Sequence, residues 1–219
     1  MIFLALYQII KSGVNKVSIF FDSKPYSCFR DEVVKLCNLK KDDVFVDCGS
    51  NLGQEIDSFL DEGVIFDSYE PHPYFYKKLD LKYKNHERIS LTNKAVWINS
   101  LNLEFYFKKP IKEWGDNHVS GGASLLRKTN HRGENVSVDC IDIVDVVKKH
   151  EKIKILKLDI EGAEYKVLRR LIETGLIDKP EFIFFEDHEA KVINKKDFIK
   201  DKRVVEKFVN DTKFKFYNW

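Results

Sequence analysis

Residues 43–53 read DVFVDCGSNLG and join a short apolar run to a turn that contains two glycines. A β-branched and aromatic run of this length, preceded by charged residues, is typical of a strand, so we predict a strand over Asp43–Cys48. Gly49 follows directly, and glycine permits the tight turn that leads out of a strand. Residues 54–61 then carry apolar side chains at helical spacing. The segment predicts a strand, a tight turn and a helix in succession.

Outward from this segment, strands and helices continue to alternate. We predict further strands over Val64–Glu70, Arg88–Ala95, Leu103–Phe107, Ile153–Leu158, Phe182–Phe185 and Lys213–Tyr217, and helices from Pro73 onward, over Glu161–Thr174 and over Asp197–Asn210. This order predicts an α/β, Rossmann-like fold, with a mostly parallel central sheet and helices on both faces. Such sheets bind ligands beyond the carboxyl ends of their strands.

Composition limits the class of protein. The 219 residues are 43% hydrophobic, enough for a packed core, and the net charge of +2 lacks the basic excess of a nucleic-acid binder.

We expect residues 41–219 to form one catalytic domain, with residues 1–40 as a helical or strand extension packed on it. The apolar stretch Met1–Ile10 is too short to span a bilayer, so we predict a packed helix and no transmembrane segment. A surface-associating helix is the alternative.

Four scattered cysteines, Cys28, Cys37, Cys48 and Cys140, form no CxxC pair. Zinc sites and disulfide frameworks need regular spacing, so we expect reduced thiols and a cytoplasmic location.

The turn after the first strand favours a cationic ligand. No Gly-Lys-Ser/Thr follows at P-loop spacing, and Asn51 stands where a dinucleotide fingerprint has its second glycine. Asp47 would repel a pyrophosphate but attract an ammonium or sulfonium group. We therefore predict S-adenosylmethionine (SAM) as the cofactor, although glycines in such turns are often structural.

Two further strand ends carry carboxylates. Glu70 ends the second strand and can accept hydrogen bonds from both ribose hydroxyls of a nucleoside, which fits NAD and SAM equally. For Glu70, a surface glutamate before Pro71 is the alternative.

After the strand that ends at Leu158 come Asp159, Glu161 and Glu164. Acids there can offset a helix dipole, and Asp159 can be an N-cap, but we expect Asp159 to be functional because cofactor and substrate meet at this edge.

Several segments together resemble the FkbM family of SAM-dependent methyltransferases. They are VDCGSNLG (46–53), YEPHP (69–73), NKAV (93–96), GGASLL (121–126), VDCID (138–142), KLDIEGAE (157–164) and FEDH (185–188). The resemblance implies a class I methyltransferase fold, usually of seven strands, that methylates a hydroxyl of a sugar or polyketide. About thirty residues follow the predicted strand Phe182–Phe185, so we expect a sheet shortened at its C-terminal strands or a chain excised from a longer one.

The resemblance also implies a set of cofactor contacts. The methionine part of SAM would contact Asp47, Gly49, Ser50, Asn51 and Gly53; Glu70 would hold the ribose, and Asn93 and Ala95 would lie near the adenine.

For catalysis we predict that a general base deprotonates the acceptor hydroxyl. His188 is the first candidate, because an ordinary histidine is neutral at cellular pH, with Glu186 orienting its ring. Asp159 is the second candidate, as base or substrate ligand. In a related mechanism Asp159 and Glu186 hold Mg²⁺, although the ligand set is incomplete. Ser124 falls in the segment expected to cover the acceptor.

The predicted function is a SAM-dependent O-methyltransferase that acts on a small-molecule or saccharide hydroxyl, in a glycan or glycolipid, without a nucleic-acid partner. The alternatives are an NAD-dependent oxidoreductase and an inactive SAM-fold binding module. A nucleic-acid methyltransferase is disfavoured by the balanced charge.

Overall fold

The computed structural model describes residues 26–107, 123–126, 134–189, 195–212, 214 and 216–218. The helices are α1 (Tyr26–Cys37), α2 (Gln54–Phe59), α3 (Pro73–Tyr83), α4 (Ile143–Lys148), α5 (Glu164–Glu173) and α6 (Lys195–Thr212), with a 3₁₀ turn at Leu60–Glu62. The strands are β1 (Val44–Cys48), β2 (Ile65–Tyr69), β3 (Ile89–Thr92), β4 (Ala95–Trp97), β5 (Asn102–Phe107), β6 (Glu134–Asp142), β7 (Ile153–Leu158), β8 (Pro180–Phe185) and β9 (Phe216–Asn218).

The main sheet contains six parallel strands in the order β3-β2-β1-β7-β8-β9. The chain runs from β1 outward through β2 to β3, and later returns to place β7 on the other side of β1. The switch point between β1 and β7 is where open parallel sheets bind their ligands. The α/β, Rossmann-like prediction is confirmed, and the sheet in the described residues is one strand short of the seven that the resemblance implied.

Both faces of the main sheet are covered, because successive side chains of a strand point to opposite faces. Phe45 and Ile155 pack on one face with Val33 of α1 and Leu79 of α3. The next residues along the same strands, which include Val46, pack on the other face with α4, α5 and α6. The expected arrangement of helices on both faces is therefore present.

A second, smaller sheet has the order β4-β6-β5. The single strand predicted over Arg88–Ala95 is wrong: β3 belongs to the main sheet and β4 to the smaller one, and Asn93 and Lys94 separate them. Strand β6 was not predicted, although Val136, Val138 and Cys140 alternate with polar residues as in a half-buried strand.

Local sequence sets the helix starts. Pro73 is the first residue of α3, and His72 caps it by accepting the backbone N–H of Tyr74. Helix α5 begins at Glu164 and not at the predicted Glu161, because the preceding loop turns through residues of positive φ. Ala163 is its N-cap, so the interpretation of Asp159 as an N-cap is wrong.

The N-terminal part is described from α1 onward, and the predicted helix over Met1–Ile10 lies outside the described residues. Val33 and Cys37 of α1 are buried in the core; the boundary between an extension at 1–40 and a domain at 41–219 stays a prediction. None of the helices in the described ranges combines the length and apolarity that crossing a bilayer requires.

Candidate functional site

An open cleft of about 620 Å³ lies beyond the carboxyl ends of β1, β2 and β7. Five residues singled out from the sequence line it: Gly49, Asn51, Glu70, Ala95 and Asp159. The other lining residues are Tyr69, Pro71, Phe75, Val96, Phe105, Ala123, Leu125, Ile160, Glu161 and Ala163. The cleft is mostly apolar, with polar groups concentrated at the strand ends, as is typical of small-molecule sites.

The turn after β1 depends on close backbone approach. Gly49 has a φ of +90°, and its N–H donates to the carbonyl of Tyr69 (2.9 Å). A Cβ built on Gly49 would lie 1.9 Å from the carbonyl oxygen of Asp159, so only glycine lets the loop after β1 touch the loop after β7. Gly53 lies outside the cleft lining, and a Cβ there would meet Leu79 and Tyr83 at 2.9 and 3.0 Å.

Glu70 holds a fixed carboxylate at the cleft. Its Oε2 accepts the N–H of Asn51 (2.7 Å) and its Oε1 accepts the N–H of His72 (2.7 Å). Burial raises the pKa of Glu70 to about 8, although these two hydrogen bonds act in the opposite direction. Each carboxylate oxygen keeps a further lone pair, so Glu70 can accept two more hydrogen bonds from a ligand.

The two candidate asparagines differ in role. The Oδ1 of Asn51 is buried and makes no hydrogen bond in the described structure, which leaves an acceptor for a ligand's N–H group at the cleft. Asn93 does not line the cleft, and its Nδ2 donates to the carbonyls of Glu70 (2.7 Å) and Pro71 (3.2 Å). Asn93 therefore fixes the end of β2, while Ala95 forms part of the wall.

Asp47 is paired inside the protein and does not face the cleft. Its side chain is fully buried, and Oδ1 lies 3.2 Å from the Nζ of Lys157, its neighbour on β7. Burial raises the pKa of Asp47, while the Lys157 ammonium lowers it. The argument that the charge of Asp47 attracts a cationic ligand directly is corrected, because Lys157 compensates that charge. Ser50, also buried, donates to the carbonyl of Asp47 (3.3 Å).

Lys157 and Glu55 also belong to this site, although neither was predicted from the sequence. Nζ of Lys157 lies 3.4 Å from Oε1 of Glu55 and 3.8 Å from Oδ2 of Asp159. Burial alone would lower the pKa of Lys157, but the carboxylates of Asp47, Glu55 and Asp159 raise it well above its usual value. The signal was present: a lysine in a strand buried on both faces needs a carboxylate partner.

The loop between β7 and α5 is held by side chains that bond to its backbone. Glu164 Oε1 accepts the N–H groups of Ile160 (3.0 Å) and Gly162 (3.2 Å). Ser124 lies outside the cleft lining, and its Oγ donates to the carbonyl of Glu161 (2.8 Å). Glu161 has a φ of +55°, a strained conformation for a residue with a Cβ, and its side chain points toward His188.

His188 is buried among carboxylates. Its Nδ1 contacts Glu164 Oε1 (2.8 Å), and its Nε2 lies 3.3 Å from Glu186 Oε2, 3.6 Å from Glu161 Oε2 and 3.9 Å from Asp159 Oδ1. Burial alone would lower the pKa of His188, but hydrogen bonds and charges of the surrounding carboxylates raise it to about 10. The reasoning that selected His188 as a base because it is neutral at cellular pH is therefore wrong.

Asp159 and Glu161 remain as acidic groups at the cleft itself. Burial raises the pKa of Asp159, with Lys157 acting in the opposite direction and Glu186 in the same one. Asp159, Glu161 and His188 each present one donor atom, and these three atoms lie within 4.8 Å of one another. The cluster has the residue types that ligate a divalent cation.

A family model described as the Methyltransferase FkbM domain matches residues 47–209, more than half of the chain. The chain belongs to the FkbM methyltransferase family. No curated protein and no solved structure matches the chain significantly. The FkbM match contains every site residue predicted from the sequence, from Asp47 to His188.

Two glycines of this FkbM-family methyltransferase provide a matched test of the turn after β1. Gly49→Ala and Gly175→Ala both place a Cβ at positive φ, which costs about 1–2 kcal/mol. Only at Gly49 does the new Cβ collide with backbone, so we expect Gly49→Ala to lower the free energy of unfolding by more, measured in urea. Equal losses for the two variants would contradict the proposed close approach.

Proposed function

We propose that this methyltransferase uses SAM and transfers its methyl group to a hydroxyl of a sugar, in a glycan or glycolipid. The observation that carries the proposal is the fixed carboxylate of Glu70 at the cleft, oriented by two backbone N–H groups. Ribose hydroxyls are donors that such a carboxylate can accept as a pair. The family match supports methyl transfer and disfavours the NAD-dependent oxidoreductase that the sequence left open.

The cleft suits the methionine end of SAM better than a pyrophosphate. Asn51 offers a buried acceptor without a hydrogen-bond partner, which an ammonium group would satisfy, whereas a phosphate needs donors at that place. Gly49 brings the chain close to the loop at Asp159, so the sulfonium end of the cofactor would lie near the carboxylates there. On this view Asp47 acts indirectly, through Lys157.

A sugar acceptor is supported by the row of carboxylates at the β7 end of the cleft. Asp159 and Glu161 line it, and Glu186 lies beside them with its side chain 44% exposed. Sugar hydroxyls are donors that carboxylates bind well. Phe75 and Phe105 provide apolar wall surface for the adenine or for a sugar face.

In the proposed reaction the acceptor oxygen attacks the methyl carbon of SAM in line with the carbon–sulfur bond. The oxygen–carbon bond forms, the carbon–sulfur bond breaks with its electron pair going to sulfur, and the products are a methyl ether and S-adenosylhomocysteine. The hydroxyl proton passes to Asp159, which lines the cleft at this edge. Alignment of the two reactants can contribute about 7–11 kcal/mol.

We also propose a cytoplasmic location. Cys37, Cys48 and Cys140, the cysteines whose side chains are described, are buried and unpaired. Burial raises the pKa of the Cys37 thiol to about 12 and that of Cys140 to about 11, so both stay protonated. Unpaired thiols of this kind are typical of a reducing compartment.

The cofactor is tested by calorimetric titration with S-adenosylhomocysteine and NAD, followed by labelled-methyl transfer from SAM to a panel of saccharides. We expect S-adenosylhomocysteine to bind, NAD not to bind, and label to appear in a saccharide. Binding of NAD alone would refute the cofactor. Binding of S-adenosylhomocysteine with no methylated product from any saccharide would refute the sugar acceptor and favour an inactive binding module or another acceptor.

The raised pKa of Glu70 predicts that nucleoside binding depends on pH. Ribose hydrogen bonds favour the carboxylate, so the pKa of Glu70 is lower in the complex than its value of about 8 in the free protein. Binding then releases a proton, so the affinity for the nucleoside rises with pH. The rise is up to about tenfold per pH unit until the pH reaches about 8, and above that the affinity is constant. Titration with 5′-methylthioadenosine at several pH values measures this.

Glu70→Gln is the control for that pH series, because the amide keeps the shape of the side chain and does not titrate. We expect weaker binding of 5′-methylthioadenosine with no pH dependence. A pH dependence that persists in this variant would assign it to another group.

Asp159→Asn tests the proton acceptor. The amide cannot take up the hydroxyl proton, so we expect kcat to fall by about 10²–10⁴-fold while the KM for SAM changes little. Asp178→Asn, an exposed substitution of the same kind after α5, is the matched control and should leave both constants unchanged. Near-normal kcat in Asp159→Asn would show that another group accepts the proton.

A further inference from the structure

We propose that Asp159, Glu161 and His188 form a binding site for one divalent transition-metal cation at the β7 end of the cleft. The site rests on the geometry, charge and residue types of this cluster, and its role in activating the acceptor hydroxyl rests on the proposed function. The three donor atoms lie within 4.8 Å of one another and come from two segments, the loop after β7 and the loop after β8.

The spacing of the donors fits one cation between them. Nε2 of His188 lies 3.6 Å from Glu161 Oε2 and 3.9 Å from Asp159 Oδ1. Both distances are longer than a hydrogen bond. Two ligands with bonds of about 2.1 Å to one metal are about 3.0 Å apart at right angles and about 4.2 Å apart when opposite. The observed spacings fall between these limits.

An independent observation is the state of the His188 ring. The side chain is 1% exposed, and its Nε2 points at the carboxylates without a hydrogen bond of good geometry, although Glu186 Oε2 lies 3.3 Å away. Nδ1 contacts Glu164 Oε1 at 2.8 Å, and Glu164 is itself held by backbone N–H groups of the loop. A histidine whose far nitrogen is fixed by a carboxylate is the usual arrangement around a metal-bound imidazole.

Local charge also favours a cation. Nε2 of His188 faces Asp159, Glu161 and Glu186, and Glu164 approaches the ring from its other side. The ammonium of Lys157 lies closer to Asp47 and Glu55 than to Asp159. A divalent cation at Nε2 would displace the proton from that nitrogen to solvent and, with its higher charge, reduce the repulsion among the carboxylates at this edge of the sheet.

The donor set indicates the kind of cation. Mg²⁺ prefers oxygen ligands and water, whereas imidazole suits transition metals and carboxylates suit Mn²⁺ as well. One imidazole with two carboxylates therefore favours Mn²⁺ or a similar ion over the Mg²⁺ expected from Asp159 and Glu186. Asp159 and Glu161 both line the cleft, so an acceptor hydroxyl can reach a metal held there. Coordination through Oδ1 of Asp159, the oxygen near His188, would lower the pKa of that hydroxyl and leave Oδ2 to accept its proton.

In the test, EDTA-treated and dialysed protein is titrated with Mn²⁺. Electron paramagnetic resonance measures the signal of free Mn²⁺, which is lost when the ion binds to the protein. We expect one bound Mn²⁺ per chain, displaced by Zn²⁺ more readily than by Mg²⁺. Glu161→Gln, at a partly exposed side chain, should weaken Mn²⁺ binding by at least about tenfold. Glu151→Gln, an exposed substitution at the amino end of β7, is the matched control and should bind Mn²⁺ as the wild type does.

Absence of Mn²⁺ binding by the wild type, or equal binding by wild type and Glu161→Gln, overturns the site. A melting temperature of Glu161→Gln equal to that of the control excludes misfolding as the cause of lost binding. S-adenosylhomocysteine is titrated into the same samples, so that cofactor binding and Mn²⁺ binding are measured on the same protein. Mn²⁺ binding without methyl transfer to a saccharide supports the metal site and overturns the proposed sugar acceptor. Methyl transfer by protein that binds no Mn²⁺ overturns the metal site and leaves the proposed function intact.

Discussion

Lys157 is a buried lysine on the strand next to β1, and its ammonium lies among the carboxylates of Asp47, Glu55 and Asp159. An ammonium in a protein interior loses several kcal/mol of hydration, which only close opposite charges can offset. Removal of one partner of such a pair costs about 3–5 kcal/mol. The interaction joins β1, the start of α2 and the end of β7 at the switch point. These elements therefore meet around one positive charge directly beside the cleft.

This arrangement divides the acidic residues of the site into two groups. Asp47 and Glu164 are used within the protein: one compensates Lys157, and the other holds a loop and a histidine ring. Asp159 and Glu161 line the cleft, where they can contact a ligand. Glu70 belongs to both groups, because backbone N–H groups orient it and its remaining lone pairs face the cleft. Residue type and position along the chain do not separate these roles, since all these residues lie at the carboxyl end of a strand or a few residues after it.

Membership of the FkbM methyltransferase family agrees with this geometry. Gly49 lets the loop after β1 touch the backbone of Asp159, whereas Gly53 packs against side chains of α3. The close packing at Gly49 therefore also sets the shape of the cleft that Gly49 lines. A change that separates the two loops would alter the cleft even though no ligand contact is substituted.

The sequence by itself determined the α/β fold, the bounds of β7, the carboxyl end of β1, and the strand ends at which the cleft lies, because hydrophobic periodicity and glycines after strands are local signals. It also determined the family, through motifs that stand in order. Only the tertiary structure decided that Asp47 faces Lys157, that β3 and β4 belong to different sheets, and that His188 is surrounded by carboxylates. Those outcomes depend on which side chains meet across strands and loops distant in the chain, and burial then sets their charge.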